Sequence, residues 1–266
     1  MSSRRLGLVL FASLLLLWLV GLAMPYDVVA DVHPDLADAP PAAAHLLGTD
    51  HLGRDVLARL IRASRAFVLP GAGAAVVAGV LGLALGTVAG WFGGVAEQAG
   101  RLVFTVVGAV PRLVLVLLAA TIVGDDPAVL AVAAGLVCAP ELGSAVAARL
   151  GDLRRAEFVL ALRAHGVSDA RILGYHLLWV NARGVVARQL FTVFGYYVGL
   201  ETTLSYLGGF GVQEPEPSWG NMVAFEFGRP DGNLLAWLAP ALALWAAVVA
   251  CSWLAEDLGR REAADG

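Results

Sequence analysis

Three ionisable side chains stand inside otherwise apolar stretches of this 266-residue chain: Arg112 directly after Pro111, Glu141 directly after Pro140, and Glu201. Facing lipid costs such a group at least about 2.5–3.5 kcal/mol on insertion scales, so a buried membrane charge usually meets a cavity or a partner. Arg112, where a proline breaks the helix, and Glu141 are therefore candidates to line an aqueous path. A purely structural Arg–Glu pair, with Glu141 or Glu201 as the acid, is an equal reading of the same residues. Glu201 lies closer to the end of its stretch and is assigned a structural role. Other chemistry lacks its residues. The chain has no lysine, all eighteen positive charges being arginine. A phosphate-binding loop ending Gly-Lys-Ser/Thr is thus excluded, and so is ATP hydrolysis by that device on this chain. No HExxH zinc motif and no Gly-x-Ser-x-Gly elbow occurs. His33, His45, His51, His165 and His176 all fall outside the apolar stretches, so no histidine–serine dyad within the membrane is visible.

The elements that must carry these residues are membrane helices. Hydrophobic residues make up 59% of the chain and charged residues 15%, with a mean hydropathy of +0.75, beyond the range of an ordinary soluble globule. Leu6–Met24, Ala66–Ala96 and Leu234–Ala255 are free of charge over 19, 31 and 22 residues, and about 20 apolar residues cross about 30 Å of hydrocarbon. Leu102–Val123, Ala128–Ala148 and Gln189–Leu207 are three further spans, interrupted by one charge each. The expectation is an all-α, polytopic membrane protein of about six transmembrane helices. It divides into 1–65, an N-terminal span with an extracytoplasmic segment, and 66–266, the main transmembrane domain. Leu6–Met24 is too long for the apolar core of a signal peptide, about 7–15 residues, and no small-x-small site follows closely. Cys138 and Cys251 lie within spans and read as small apolar residues.

Positive charge sets the expected orientation. With both termini cytoplasmic, twelve arginines lie inside and five outside, Arg112 being within a span. The outer cluster Arg54, Arg59, Arg62 and Arg65 shares its segment with Asp27, Asp31, Asp35, Asp38, Asp50 and Asp55, and a surface helix over Asp50–Arg65 is expected there. In the second span, Gly82, Gly86 and Gly90 follow i, i+4 spacing after Gly79 and leave a smooth stripe suited to close helix approach.

Residues 149–188 form a polar interlude with seven arginines. Phe158, Ala161 and Leu162 at i, i+3, i+4 suit a short amphipathic helix over Arg154–Ala164. Gly166 ends it, and Ser168 or Asp169 can cap a second helix through Arg171, Ile172, Leu173 and His176. Helix, glycine turn and helix make a compact knob. Composition alone favours its resting on anionic headgroups, about 1 kcal/mol per arginine near the surface.

Three blocks in order alter that reading. His45–Ile61 (HLLGTDHLGRDVLARLI), Glu157–Gly166 with Arg171-Ile172 and His176, and Glu201–Met222 (ETTLSYLGG, then GVQEP and PSWGNM) span nearly the whole chain. They resemble the C-type permease of the dipeptide/oligopeptide/nickel subfamily of ABC importers, and the second block resembles the cytoplasmic coupling loop, Glu-Ala-Ala, three residues, Gly. Departures are Leu160-Ala161-Leu162 for Glu-Ala-Ala, Leu178-Trp179 for a usual Leu-Pro, Arg112 for an uncharged residue and Glu141 for a small one.

The resemblance implies the type I ABC importer permease fold in the cytoplasmic (inner) membrane. It further implies a second, B-type permease, two ABC ATPase subunits and an extracytoplasmic substrate-binding protein as partners, with the lipid bilayer around them and no nucleic acid. No cofactor is expected on this chain, since ATP-Mg would sit on the ATPases, and the chain would be a transport subunit, not an enzyme. Glu157, Ala161, Arg163, Gly166 and Arg171 would couple to the ATPases. Gln213 and Trp219, in a stiff acidic and aromatic outer loop, would dock the binding protein or cap the path. Substrate is not legible, although Arg112 hints at an anionic or carboxylate-bearing solute. The alternatives are a secondary transporter, for which Glu141 is the one suitable coupling carboxylate, and a membrane scaffold; inverted repeats and a large soluble domain are both lacking.

Overall fold

A computed structural model describes residues 3–23, 32–124 and 126–265, with side chains to residue 260. Met24, Asp27, Asp31 and the side chain of Arg261 lie outside the described residues. Within them the chain is helical, with one isolated bridge between Thr49 and Asp55. In order come α1 (Ser3–Ala23), α2 (Val56–Ala63), α3 (Val68–Phe92), α4 (Gly94–Gly108), α5 (Arg112–Val123), α6 (Pro127–Leu153) and α7 (Glu157–Ala164). Then follow α8 (Asp169–Arg171), a π-helical stretch (Ile172–Ala182), α9 (Arg183–Leu207), α10 (Trp219–Glu226) and α11 (Leu234–Asp265).

Four helical runs are long and apolar enough to cross a bilayer: α1, the α2–α3 run, α6 and α11. A fifth is the α4–α5 pair, bent by 79°, where Pro111 withholds a backbone donor and ends one helix before the next begins. The sixth expected span lies in α9. Its 25 residues reach about 37 Å, but α9 is not apolar enough to join the others. The reason is its place. It packs against α3, α6, α10 and α11, and Gln189, Glu201, Thr202 and Ser205 on it are buried among neighbouring helices.

The glycine stripe brings α3 into close contact with α6. A Cβ added at Gly82, Gly86 or Gly90 would lie 2.7, 2.4 or 2.8 Å from the carbonyl oxygens of Ala139, Gly143 and Ala147 on α6. Backbone thus meets backbone along the whole α3–α6 seam, and van der Waals contact replaces side-chain interdigitation. Gly79 stands apart and faces Leu190.

The outer segment differs from expectation. Its helix begins at Val56, capped by Asp55, whose side chain accepts from the Ala58 amide at 2.8 Å. It does not lie on the surface, for Val56, Arg59 and Ala63 are buried.

Candidate functional site

The polar interlude folds as one ordered knob beneath α3 and α6. α6 runs to Leu153, a turn follows, and α7 starts at Glu157, three residues later than the sequence pattern suggests. Gly166 then adopts φ +78°. Its amide donates to Arg163 O at 2.9 Å and the Val167 amide to Leu162 O at 3.0 Å, the two bonds of a Schellman C-cap. Val167 and Leu162, which that motif brings together, belong to the same apolar cluster as Val159, Ile172 and Leu177, packed on Leu142, Val146 and Leu150 of α6. Ser168 holds the N-cap position of α8 without a side-chain bond. The next turns widen into the π-helical stretch and run directly into α9.

This packing corrects the expected amphipathic face. Val159 and Leu162 point inward, whereas Phe158, Leu160 and Ala161 are exposed. All five candidate coupling residues, Glu157, Ala161, Arg163, Gly166 and Arg171, are exposed. Arg163 also serves the knob itself, donating to Asp169 Oδ1 at 2.8 Å and lying 5.3 Å from the Trp91 ring at the end of α3. Arg154 reaches the Trp91 carbonyl at 2.9 Å. The knob is therefore tied to α3, α6 and α9 together.

The structure brings together Arg112, at the start of α5, and Glu141, at the middle of α6. Arg112 Nη2 donates to Glu141 Oε2, and the guanidinium lies 5.5 Å from the Tyr196 ring. Glu201 does not join them. It is buried on α9 and accepts from Ser205 Oγ at 2.6 Å. The Arg112 and Glu141 side chains remain 39% and 44% exposed, so this pair faces outward from the chain's own helices.

The end of the bundle that carries α2 and α10 is closed by charges far apart in the sequence. Arg54 binds Asp50 Oδ2 at 2.7 Å and Glu214 Oε2 at 2.7 Å, while Arg59 binds Glu214 Oε1 at 2.6 Å and lies 3.4 Å from Asp50. Arg62 adds two bonds to Glu216, at 2.9 and 3.1 Å. Burial works against the Arg54 charge, but hydrogen bonding to Glu214 and the nearby Asp50 outweigh it and hold its pKa above the ordinary value. The hydrogen bond from Arg62 holds Glu216 below the usual carboxylate range. Among the described aspartates expected to offset these arginines, Asp50 does so. Asp55 caps α2 and meets His45, and Asp38 pairs with Arg229.

Trp219 is corrected by the same region. It is 1% exposed, packs against Phe67 in a tilted pair with centroids 4.3 Å apart, and donates its indole N–H to Leu60 O at 3.1 Å. It cannot be a docking side chain; it anchors α10, whose start is fixed by a Ser218–Asn221 capping box. Gln213 is half-buried and donates to Phe210 O at 2.5 Å.

Residues 82–263 match the family model described as the binding-protein-dependent transport system inner membrane component. The chain belongs to this permease family. Similar curated proteins include the dipeptide transport system permease protein DppC of Alkalihalophilus pseudofirmus, 28% identical over 82% of this chain and 71% of that protein. The glutathione transport system permease protein GsiD of Pectobacterium atrosepticum is 29% identical over 96% of this chain and 85% of its own length. The oligopeptide transport system permease protein OppC of Bacillus subtilis is 30% identical over 71% and 61%.

The permease is accordingly a multi-pass inner-membrane transport subunit of an ABC importer, and the type I importer fold accounts for its helices. Its outer clasp was the part sequence reasoning missed. Arg54 and Glu214 lie 160 residues apart, and no periodicity links their two loops.

Proposed function

We propose that this permease pairs with a second permease subunit around a translocation path and that its 149–188 knob receives the movement of ABC ATPases bound on the cytoplasmic side. Both termini then lie in the cytoplasm, ATP-Mg is bound and hydrolysed on the ATPase subunits, and a binding protein delivers peptide or another small solute to the outer face. The observation that supports this most is the knob. It is a rigid, Schellman-closed helix whose apolar side chains Phe158, Leu160 and Ala161 face away from the bundle while its other face is packed on α6. Exposed hydrophobics of that kind mark an interaction surface, and the likeness to permeases of ABC importers makes an ATPase the partner on this reading. Glu157, Ala161, Gly166 and Arg171 are the contact residues on this reading, and Arg163 holds their helix in place.

Coupling requires the ATPase dimer to favour one permease state over the other. In this chain the two states would differ in the tilt of α6 and α9, which the knob joins. Arg112 and Glu141 line the path, and the outer clasp with Gln213 forms its extracytoplasmic cover. Purification of the tagged permease with its operon neighbours should bring down an ATPase. Gly166→Pro, which forces φ to about −65° and removes the amide that bonds Arg163 O, should leave that complex assembled and abolish substrate-stimulated ATP hydrolysis in proteoliposomes. Unchanged stimulation would refute the coupling role.

A further inference from the structure

We infer that the cavity between α3, α4 and α6, beside the turn that leads into the knob, is a headgroup site for a phospholipid of one net negative charge. The cavity holds about 330 Å³, and Glu97, Arg101, Asp152, Arg154 and Arg155 line it with an apolar floor that includes Phe104. That volume is at the lower end of small-molecule sites, about 300–1,000 Å³, and admits a headgroup rather than a whole lipid. The charges come from the first half of α4 and the end of α6. Arg154 follows the last residue of α6 and donates to Trp91 O of α3 at 2.9 Å. Gly93, at φ +67°, leaves room for it, since a Cβ there would lie 2.4 Å from Arg154 Nη1. Arg154 is therefore fixed in place before any ligand arrives. Arg101 is paired with Glu97 one turn away. Arg155 is exposed, and among the described residues its side chain has no hydrogen-bond or ion-pair partner.

Charge selects the class of ligand. Three arginines against two acids leave one positive charge uncompensated in the cavity. A phosphodiester whose headgroup carries no amine balances it, and guanidinium groups match phosphate oxygens in direction as well as in charge. An ethanolamine or choline headgroup brings its own cation and leaves the excess in place. The surroundings select a lipid over a free phosphate. α4, one wall of the cavity, exposes Val95, Leu102 and Val106 beside the charged Glu97 and Arg101, the pattern of a helix lying where hydrocarbon meets headgroups. The floor at Phe104 and Ala147 then takes the start of an acyl chain, which inorganic phosphate lacks. Basic pockets between membrane helices on the cytoplasmic side hold anionic headgroups in this way. The headgroup preference that composition gives the whole interlude thus falls on its first residues, Arg154 and Arg155, and leaves the exposed face of α7 to another partner.

The test is native mass spectrometry of the full-length permease, delipidated in detergent and titrated with phosphatidylglycerol, phosphatidylethanolamine and phosphatidylcholine of identical acyl chains. The wild type should retain one phosphatidylglycerol about tenfold more tightly than either of the other two, the ratio expected for one charge-assisted contact. Arg155→Gln should remove about tenfold of that affinity and leave phosphatidylcholine unchanged. Asp152→Asn raises the excess positive charge and should tighten phosphatidylglycerol, whereas a folding defect would weaken it in both variants. Arg260→Gln removes an equal charge outside the cavity and should change nothing. Equal losses in Arg155→Gln and Arg260→Gln assign retention to general surface charge and overturn the proposal. So does phosphatidylethanolamine or phosphatidylcholine held as tightly as phosphatidylglycerol. Release of the lipid on binding of the ATPase subunits makes the cavity a protein contact and overturns it as well. Failure of any ATPase to copurify leaves this site standing and counts against the proposed function instead.

Discussion

Replacing Glu214 by glutamine tests whether the outer face is held by its buried charges. Glu214 accepts from Arg54 at 2.7 and 3.3 Å and from Arg59 at 2.6 Å, and the two arginine side chains are 3% and 1% exposed. With Asp50, the four groups balance to zero. The substitution keeps the shape, leaves the cluster with one excess positive charge, and turns a carboxylate oxygen into an amide nitrogen facing Arg54 Nη1. Removing one partner of a buried pair costs about 3–5 kcal/mol; the retained amide oxygen, still able to accept from Arg59, reduces this to about 2–3 kcal/mol. For a domain of this size that is a fall of about 4–12 °C in apparent Tm, measured by intrinsic fluorescence of the detergent-purified protein. Glu216→Gln is the control, since its side chain is 54% exposed and a surface pair contributes about 0–1 kcal/mol. If the two variants melt together, within about 1 °C of wild type, the clasp does not hold the outer face.

Gly86→Ala should lower the yield of monodisperse protein by opening the α3–α6 seam, at a cost of about 1–3 kcal/mol, because its Cβ would come 2.4 Å from Gly143 O; Gly108→Ala, with no atom within 4 Å, should be tolerated. Trp219→Ala should destabilise the protein by about 3–5 kcal/mol in the same melting assay; normal melting with loss of binding-protein contact alone would restore the docking role. The Arg62–Glu216 pair should act on stability in one pH window. The folded pKa of Glu216 is depressed below 4.5, so its contribution is complete above that pH and is lost as pH falls through the folded value. The Tm difference between wild type and Arg62→Gln should therefore vanish on acidification and stay constant from pH 5 to 7.

Hydropathy made the apolar helices legible because burial in lipid needs only composition, and α1, α3, α6 and α11 fall where their stretches predict. It failed where another helix replaces lipid. α9 hides Gln189 and Glu201 against its neighbours, and α2 inserts Arg59 because Glu214 waits 155 residues away. Arg112 and Glu141 were legible as charges out of place, 29 residues apart, while their partnership depended on a bend at Pro111. In the knob, residue types gave the glycine stop but misassigned the inward face by one position. That shift changes what the Leu160-Ala161-Leu162 departure means. Leu162 packs against Val167 in the Schellman cap and is partly buried, so Leu160, 60% exposed, adds most of the apolar surface on the docking face. A more apolar ATPase contact in this permease would therefore rest on Leu160 with Phe158, and Leu160→Glu should weaken ATPase copurification while Leu162→Glu should instead unfold the knob.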